Sequence, residues 1–334
     1  MKRPVPVAPC LIAILESVLL ATLLQSSCAE AQAQASWPSR PIVVIVPLAA
    51  GSAADVSIRV LTERLATVLK QPFLVENQPG AAGLPGTARA ARAAPDGHTL
   101  ALLNSSIMTT LPHVYQKIDY DPLKSFAPIT TVVSIPTVLV VHPSLPVKSV
   151  KELVALAKAR PDQLLYSSGG VGSPQHLAME MFAALAGIRM THVAYKGAVP
   201  ATTDLVGGHV QLMFNGLATP LPHIRSSKLR ALAMAGARRS ELLPEVPTVQ
   251  EAGVPAYQYE QWAGLFAPAG TPLEIVNRLN AESARILKLP EVRAQLSQLG
   301  LEAQGGSAEE LALAVRTELP RMAEIIRQVG IKPE

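Results

Sequence analysis

Two hydrophobic periods alternate along this chain, that of a strand buried on both faces and that of an amphipathic helix. Residues 42–46 (IVVIV) are uniformly apolar, the pattern of a strand covered on both sides. The run stops at Pro47-Leu48-Ala49-Ala50-Gly51, and a helical pattern begins near Ser52. Ile58, Leu61, Leu65 and Leu69 then share one helical face, while Arg59, Glu63 and Arg64 fall on the other. Gln71-Pro72 ends that helix, and Phe73-Leu74-Val75 is short, apolar and strand-like. A strand, helix, strand crossover of this kind predicts parallel strands.

The same alternation continues. After a turn-rich loop over 76–83, an Ala/Arg helix is expected over 86–94, and Pro95-Asp96-Gly97 breaks it. Residues 99–103 read as a buried strand that delivers Asn104-Ser105-Ser106 at its carboxyl end. A long β-rich run over 132–141 is interrupted by Pro136, and Ser149-x-x-Glu152 is a capping box for a helix through Ala159. Leu164-Leu165-Tyr166 leads into the small-residue turn 167–174 and a second helix ending at Ala186-Gly187. Residues 190–195, 210–214 and 229–235 are further strands, and 257–267 a long return strand. Thr248-x-x-Glu251 should cap a short helix. Thr271-Pro272-x-Glu274 combines an N-cap, a proline at the first helical position and a capping acid. Ser307-x-x-Glu310 starts a terminal helix that Pro320 should kink.

These elements predict an α/β protein of two units and a helical tail. With the tail on the first unit, the domains are 36–137 plus 263–334 and 138–262, and the chain crosses twice, near 136–141 and 257–263. That is a hinged, two-lobed arrangement with a cleft between the lobes. The length of 334 residues suits two ordinary domains.

Composition narrows the function. A hydrophobic content of 49% excludes disorder. The net charge of +4 is spread without a basic run and aromatics are only 4%, which argues against a nucleic-acid surface and for attraction of small anions. Lys2 and Arg3, an apolar stretch to Leu24 and two Ala-Gln-Ala sites ending at Ala35 make 1–35 a secretory signal peptide, placing the mature chain in the periplasm. Gln25 and Ser26 interrupt the stretch too early for a membrane span. Both cysteines, Cys10 and Cys28, precede the cut, so no disulfide or thiolate metal site remains. Lipid attachment at Cys28 is an alternative, although Gln25 stands where an aliphatic residue is expected.

No G-x-S-x-G, H-E-x-x-H, P-loop or dinucleotide fingerprint is present, and the seven histidines are scattered. Catalysis is therefore not expected. The positive signal is the repeated design of strand, small-residue turn and helix N-terminus at 52–55 and 170–173. Free N–H groups there would converge on one anion, with hydroxyls from Ser52, Ser168 and Ser173. The plainer reading is that these serines only cap helices and the glycines only make turns. Asp55 is expected chiefly as a cap, because an acid would repel a carboxylate ligand. His176 is either a helix residue or a contact, and Trp262 packs in the hinge or walls the cleft.

The order of WPSRPIVVIVP, Asp55 after a small-residue turn, VENQPGAAG, APDGHTL, YDPLKSFAPIT, YSSGGVGSPQHLA, HVAYKGAVPATTDLVGGHVQLMF, LPEVPTVQEAGV and GLFAPAGTP is similar to the tripartite tricarboxylate transporter receptor, or Bug, family. The resemblance spans essentially the whole mature chain. It implies a two-lobed type II periplasmic binding protein fold without cofactor or metal, and small carboxylate ligands: dicarboxylates, tricarboxylates, acidic amino acids or aromatic acids. It implies a monomer that serves a membrane permease or a sensor. Family loops that grip one carboxylate match 48–55 and 167–176, with 104–106 and Asn215-Gly216 on the far side. The implied contacts are Leu48, Ala49, Ser52, Asp55, Asn104, Ser105, Ser168, Gly170, Ser173, His176 and Asn215. The chain departs from the family's P-A-G-G-G-T-D turn, with Ala49 to Asp55 reading A-A-G-S-A-A-D, and has Asn215-Gly216 where many members carry Asp-Asn. The second departure disfavours a ligand bearing an ammonium group. A sensory or docking protein of the same fold, and a hydrolase on a similar scaffold, are the alternatives.

Overall fold

Strand β1 (Ile42–Val46) is buried at every residue but the half-buried Val43 in the computed structural model, which describes residues 37–331. The segment read as a signal peptide, with Cys28, lies outside the described residues. From β1 the chain turns into α1 (Ala53–Leu69) and returns as β2 (Phe73–Asn77), parallel to β1 with Ile42 opposite Phe73. Next come α2 (Leu84–Ala91) and β3 (Thr99–Asn104), parallel to β1 on its other side. A π-helical turn (Ser106–Thr110), α3 (Leu111–Val114) and β4 (Phe126–Ser134) follow.

The chain then changes sheets. Strand β5 (Thr137–Val141) begins a second sheet, continued by α4 (Val150–Ala159), β6 (Leu165–Ser168), α5 (Pro174–Ala186), β7 (Thr191–Ala194), α6 (Ala198–Val206), β8 (Leu212–Gly216), α7 (Leu221–Arg225) and β9 (Arg230–Met234). Strand β10 (Trp262–Pro268) returns to the first sheet, before α8 (Leu273–Leu287), α9 (Pro290–Gln298), β11 (Glu302–Ala303) and α10 (Ala308–Val329). The first sheet runs β11-β4-β10-β3-β1-β2 and the second β7-β6-β8-β5-β9. Each holds a parallel trio beside one antiparallel strand that has just arrived from the other sheet: β10 against β3 and β4, β5 against β8 and β9. The crossings run side by side, with the Ile135 N–H donating to the Gln261 carbonyl at 2.8 Å.

Local departures from expectation have local causes. The 132–141 run divides at Ile135-Pro136 into strands of different sheets, because proline has no N–H for a ladder. The return strand starts only at Trp262. Tyr257 instead leaves the strand direction to bury against Phe214, stacked at 5.5 Å, and its hydroxyl donates to the Ala178 carbonyl at 3.1 Å. Thr248 and Glu251 do exchange capping bonds of 3.1 and 2.8 Å, but turns follow rather than a helix. At 271–274 the proposed cap does not form: Thr271 donates its hydroxyl back to the Pro268 carbonyl at 2.8 Å, and Pro272 is the N-cap residue. The Ser307/Glu310 box is complete, with bonds of 3.1 and 2.7 Å.

The tail is not wholly helical, since β11 pairs with β4. Helix α10 continues through Pro320 to Val329. Its Leu311 and Val315 belong to the core under the first sheet with Phe126 and Phe266, whereas Met322 and Ile326 belong to the core of Leu139, Tyr166, Phe182 and Phe214. Packing at both ends holds the helical path across the missing N–H.

One glycine is required by both conformation and space. Gly83 has φ +100°, and a Cβ there would stand 2.8 Å from the Pro47 carbonyl oxygen in the turn after β1. Gly83→Ala is expected to cost about 1–3 kcal/mol, read as a lower urea midpoint with an unchanged slope.

Candidate functional site

The carboxyl ends of β1, β3, β6, β7 and β8 open on one cavity, as expected where ligands collect in open α/β sheets. It holds about 570 Å³ of free space, partly continuous with solvent. That suits a compact solute. Its polar side chains are Ser52, Asn104, Ser173, Gln175, Asn215, Thr219 and Gln261, and among the described residues no lysine, arginine, aspartate or glutamate lines it. Turns from the two sheets meet closely around it: a Cβ on Gly197 would lie 3.4 Å from that of Ala49, and the Ser106 hydroxyl donates to the Gly172 carbonyl at 2.6 Å.

Three helix N-termini supply its positive potential. In α1, Ser52 Oγ accepts from the Asp55 N–H at 3.3 Å, leaving the N–H groups of Ala53 and Ala54 without an intrahelical acceptor. In α5, Ser173 Oγ accepts from the His176 N–H at 3.4 Å, leaving that of Gln175 free in the same way. Helix α6 begins beside them at Ala198, with Gly197 as its N-cap residue and no side-chain cap. Each serine oxygen is already an acceptor, so its proton remains available to an anion. Together these groups offer backbone and hydroxyl donors with a partial positive charge and no ionised side chain.

Asp55 shapes the first turn from beneath. Its buried carboxylate accepts from the Gly51 N–H at 2.9 Å, Arg59 Nε at 3.0 Å and Asn77 Nδ2 at 2.9 Å. Burial would raise its pKa, but the bonds from Arg59, Gly51 and Asn77 outweigh burial and hold it below the usual aspartate value. With those partners its charge is spent on the turn and does not confront a ligand.

The second turn rests on a stack of rings. Ser168 Oγ lies 2.5 Å from His192 Nε2 and accepts from the Gly170 N–H at 3.1 Å. His192 stacks on Tyr166 at 4.9 Å and on His176 at 4.3 Å, and His176 Nδ1 accepts from the Gly172 N–H at 3.2 Å. The Tyr166 hydroxyl donates to Glu180. Burial, and then the neighbouring His192, push His176 down to about 3, and burial pushes His192 down to about 4. Both rings are neutral at neutral pH. The Ser168 and His192 pair is the contact a hydrolase would need, yet Ser168 has no exposed surface and its oxygen holds the loop.

A tripartite tricarboxylate transporter family receptor model matches residues 57–331. The chain belongs to this receptor family. A UPF0065 protein from the tcbD-tcbE intergenic region of Pseudomonas sp. strain P51 is 35% identical, over 92% of this chain and 91% of its own. Among solved structures, Rpa4515 of R. palustris with adipate is 34% identical with a TM-score of 0.88, covering 90% of this chain and 100% of its own. MatC from Rhodopseudomonas palustris, with bound malate, is 33% identical with a TM-score of 0.83, covering 87% and 100%. The two-sheet architecture is thus that of periplasmic binding proteins.

In this family member, Leu48, Ala49, Ser52, Asn104, Ser173 and Asn215 line the cavity. Asp55, Ser168, Gly170 and His176 stand behind the lining and shape its two turns. Ser105 lines a separate polar pocket beside Glu318 and Arg321, because the backbone has already turned helical at Ser105 to start the π-helical turn. Ala82, Gly197, Ala198, Thr219 and Gln261 also line the cavity without a signal in the ligand-loop motifs, and Gln175 does so from within the matched loop 167–176. The available signal for the third N-terminus was Gly197 followed by Pro200, a turn and then an early-helix proline.

The neutral histidines make stability depend on pH. Their folded pKa values lie below the ordinary 6.5, so the unfolded chain binds more protons between about 6.5 and the folded values. Stability is complete above that window and falls as pH drops through it, by about 2–4 kcal/mol for the pair at pH 5. Urea unfolding at pH 7 and pH 5 measures this, and His192→Asn is expected to remove about half of the pH dependence.

Proposed function

We propose that this protein is a periplasmic receptor that closes two lobes around the carboxylate of a small organic acid and presents it to a membrane permease of the tripartite tricarboxylate type. The observation that carries the reading is the convergence of three helix N-termini on a cavity without charged side chains. An organic cation or a metal ion would find no counter-charge there. A carboxylate meets N–H and hydroxyl donors from both lobes, and their attraction strengthens as closure removes water. Binding that favours the closed arrangement then shifts the population toward it.

In this reading the lobes are 36–137 with 263–334, and 138–262, and they move about the paired crossings at Ile135 and Gln261. Segment 1–35 directs export and is removed. Adipate in Rpa4515 and malate in MatC support acids of this size. Ser52 and Ser173 contact the carboxylate directly, Leu48, Ala49, Asn104 and Asn215 complete the cage, and no covalent step occurs.

Differential scanning fluorimetry against a panel of small acids, followed by calorimetry, tests the proposal. At least one acid should raise the melting temperature in proportion to the logarithm of its concentration. Ser173→Ala should weaken that acid about tenfold or more through the loss of one charge-assisted bond. A panel in which no acid shifts melting, or in which neutral esters shift it equally, would reject the carboxylate reading.

A further inference from the structure

We propose that the site selects acids that also carry a neutral hydrogen-bond donor, a hydroxyl or amide N–H, and disfavours plain dicarboxylates, through the side-chain carbonyl of Gln175. The inference rests on the carboxylate reading above and adds a second requirement to it.

The direction of a buried hydrogen-bond chain carries the argument. Thr202 Oγ1 lies 2.8 Å from the Ala198 carbonyl, which can only accept, so the one proton of Thr202 is committed there. The Asn215 amide, 2.9 Å from Thr202 Oγ1, must therefore present Nδ2 to it. That turns Asn215 Oδ1 toward Gln175, 3.1 Å away, and obliges Gln175 to answer with Nε2. Amide orientation follows from the network, and here one threonine decides two amides.

Gln175 Oε1 is what remains. Among the described residues no protein group donates to it, and it lies 3.2 Å from where a Cβ on Gly169, a cavity-lining residue, would stand. Gln175 itself is buried and lines the same cavity. A bare acceptor therefore sits among donors. Gln261 at the hinge follows the same logic: the Thr137 hydroxyl donates to the Ile135 carbonyl at 3.3 Å and accepts from Gln261 Nε2 at 2.6 Å, and among the described residues no group donates to Gln261 Oε1.

A ligand that buries Gln175 Oε1 must supply a proton to it or leave it desolvated. A plain dicarboxylate is ionised at both ends near neutral pH and brings only acceptors. An ammonium group would be a donor, but it would face three positive helix ends with no carboxylate in the lining. A hydroxyl or a primary amide meets the oxygen without added charge.

Calorimetry on the mature protein with matched pairs tests this: glutarate against glutaramate, propionate against lactate, and glutaramide as a control without a carboxylate. The donor-bearing acid of each pair should bind about tenfold tighter. Thr202→Val frees both amides to turn over and should abolish the preference, whereas Thr202→Ser should retain it. Gln175→Leu should bring each donor-bearing acid down to its plain partner. Equal binding within pairs, or tighter glutarate, overturns the donor requirement and leaves the carboxylate reading standing. Glutaramide binding as tightly as glutaramate leaves the donor requirement and removes the carboxylate reading. Binding by no member overturns both.

Discussion

Two strands that change sheets constrain everything else in this molecule. β5 is the first strand after the outward crossing and β10 the first after the return, and each lies antiparallel between two neighbours, β5 between β8 and β9 and β10 between β3 and β4. The bond from Ile135 to Gln261 keeps the crossings adjacent. Residues of the turns after β1, β3, β6, β7 and β8 line one cavity, and with them the starts of three helices. The cavity is thus a consequence of topology before it is a consequence of any side chain.

Charge is managed at a distance from that cavity. The turn after β1 needs an anchor near a helix start, and Asp55 provides it while Arg59 and Asn77 absorb its charge. The turn after β6 is anchored by neutral imidazoles, whose burial is tolerable because stacking and single hydrogen bonds replace water. Both turns present peptide dipoles and hydroxyls to the interior. Such a field is set by backbone geometry, so the Gly-to-Ala and Thr-to-Ala departures of the first turn alter contact shape and one donor without changing its sign.

Much of this was legible in sequence because it depends on local periodicity. The apolar run before Ser52, the amphipathic spacing of α1, the helix that follows Ser149, and the Ser307 box all announce themselves within one or two turns of chain. What escaped depends on partners far away. Strand β7 is legible at 190–195, but the helix after it has no Ser, Thr, Asp or Asn cap at Gly197 to mark its N-terminus as a ligand seat. Ser168 and His176 have the residue types and spacing of ligand contacts, yet they bond to Gly170, His192 and Gly172 under the loop. Gln175 looked like an ordinary first-turn residue; only Asn215 and Thr202, brought in by other elements, give it a direction. The Thr271 box failed because a nearer carbonyl competed for the hydroxyl.

Helix α10 is fastened at Leu311 and Val315 to one core and at Met322 and Ile326 to the other. Any change of angle between those cores must load this helix in bending. Its backbone ladder lacks one rung at Pro320, which lies between the two pairs of fastenings. Compliance is therefore concentrated at a single point, and the helix acts as a leaf spring whose flexure point is written into the chain.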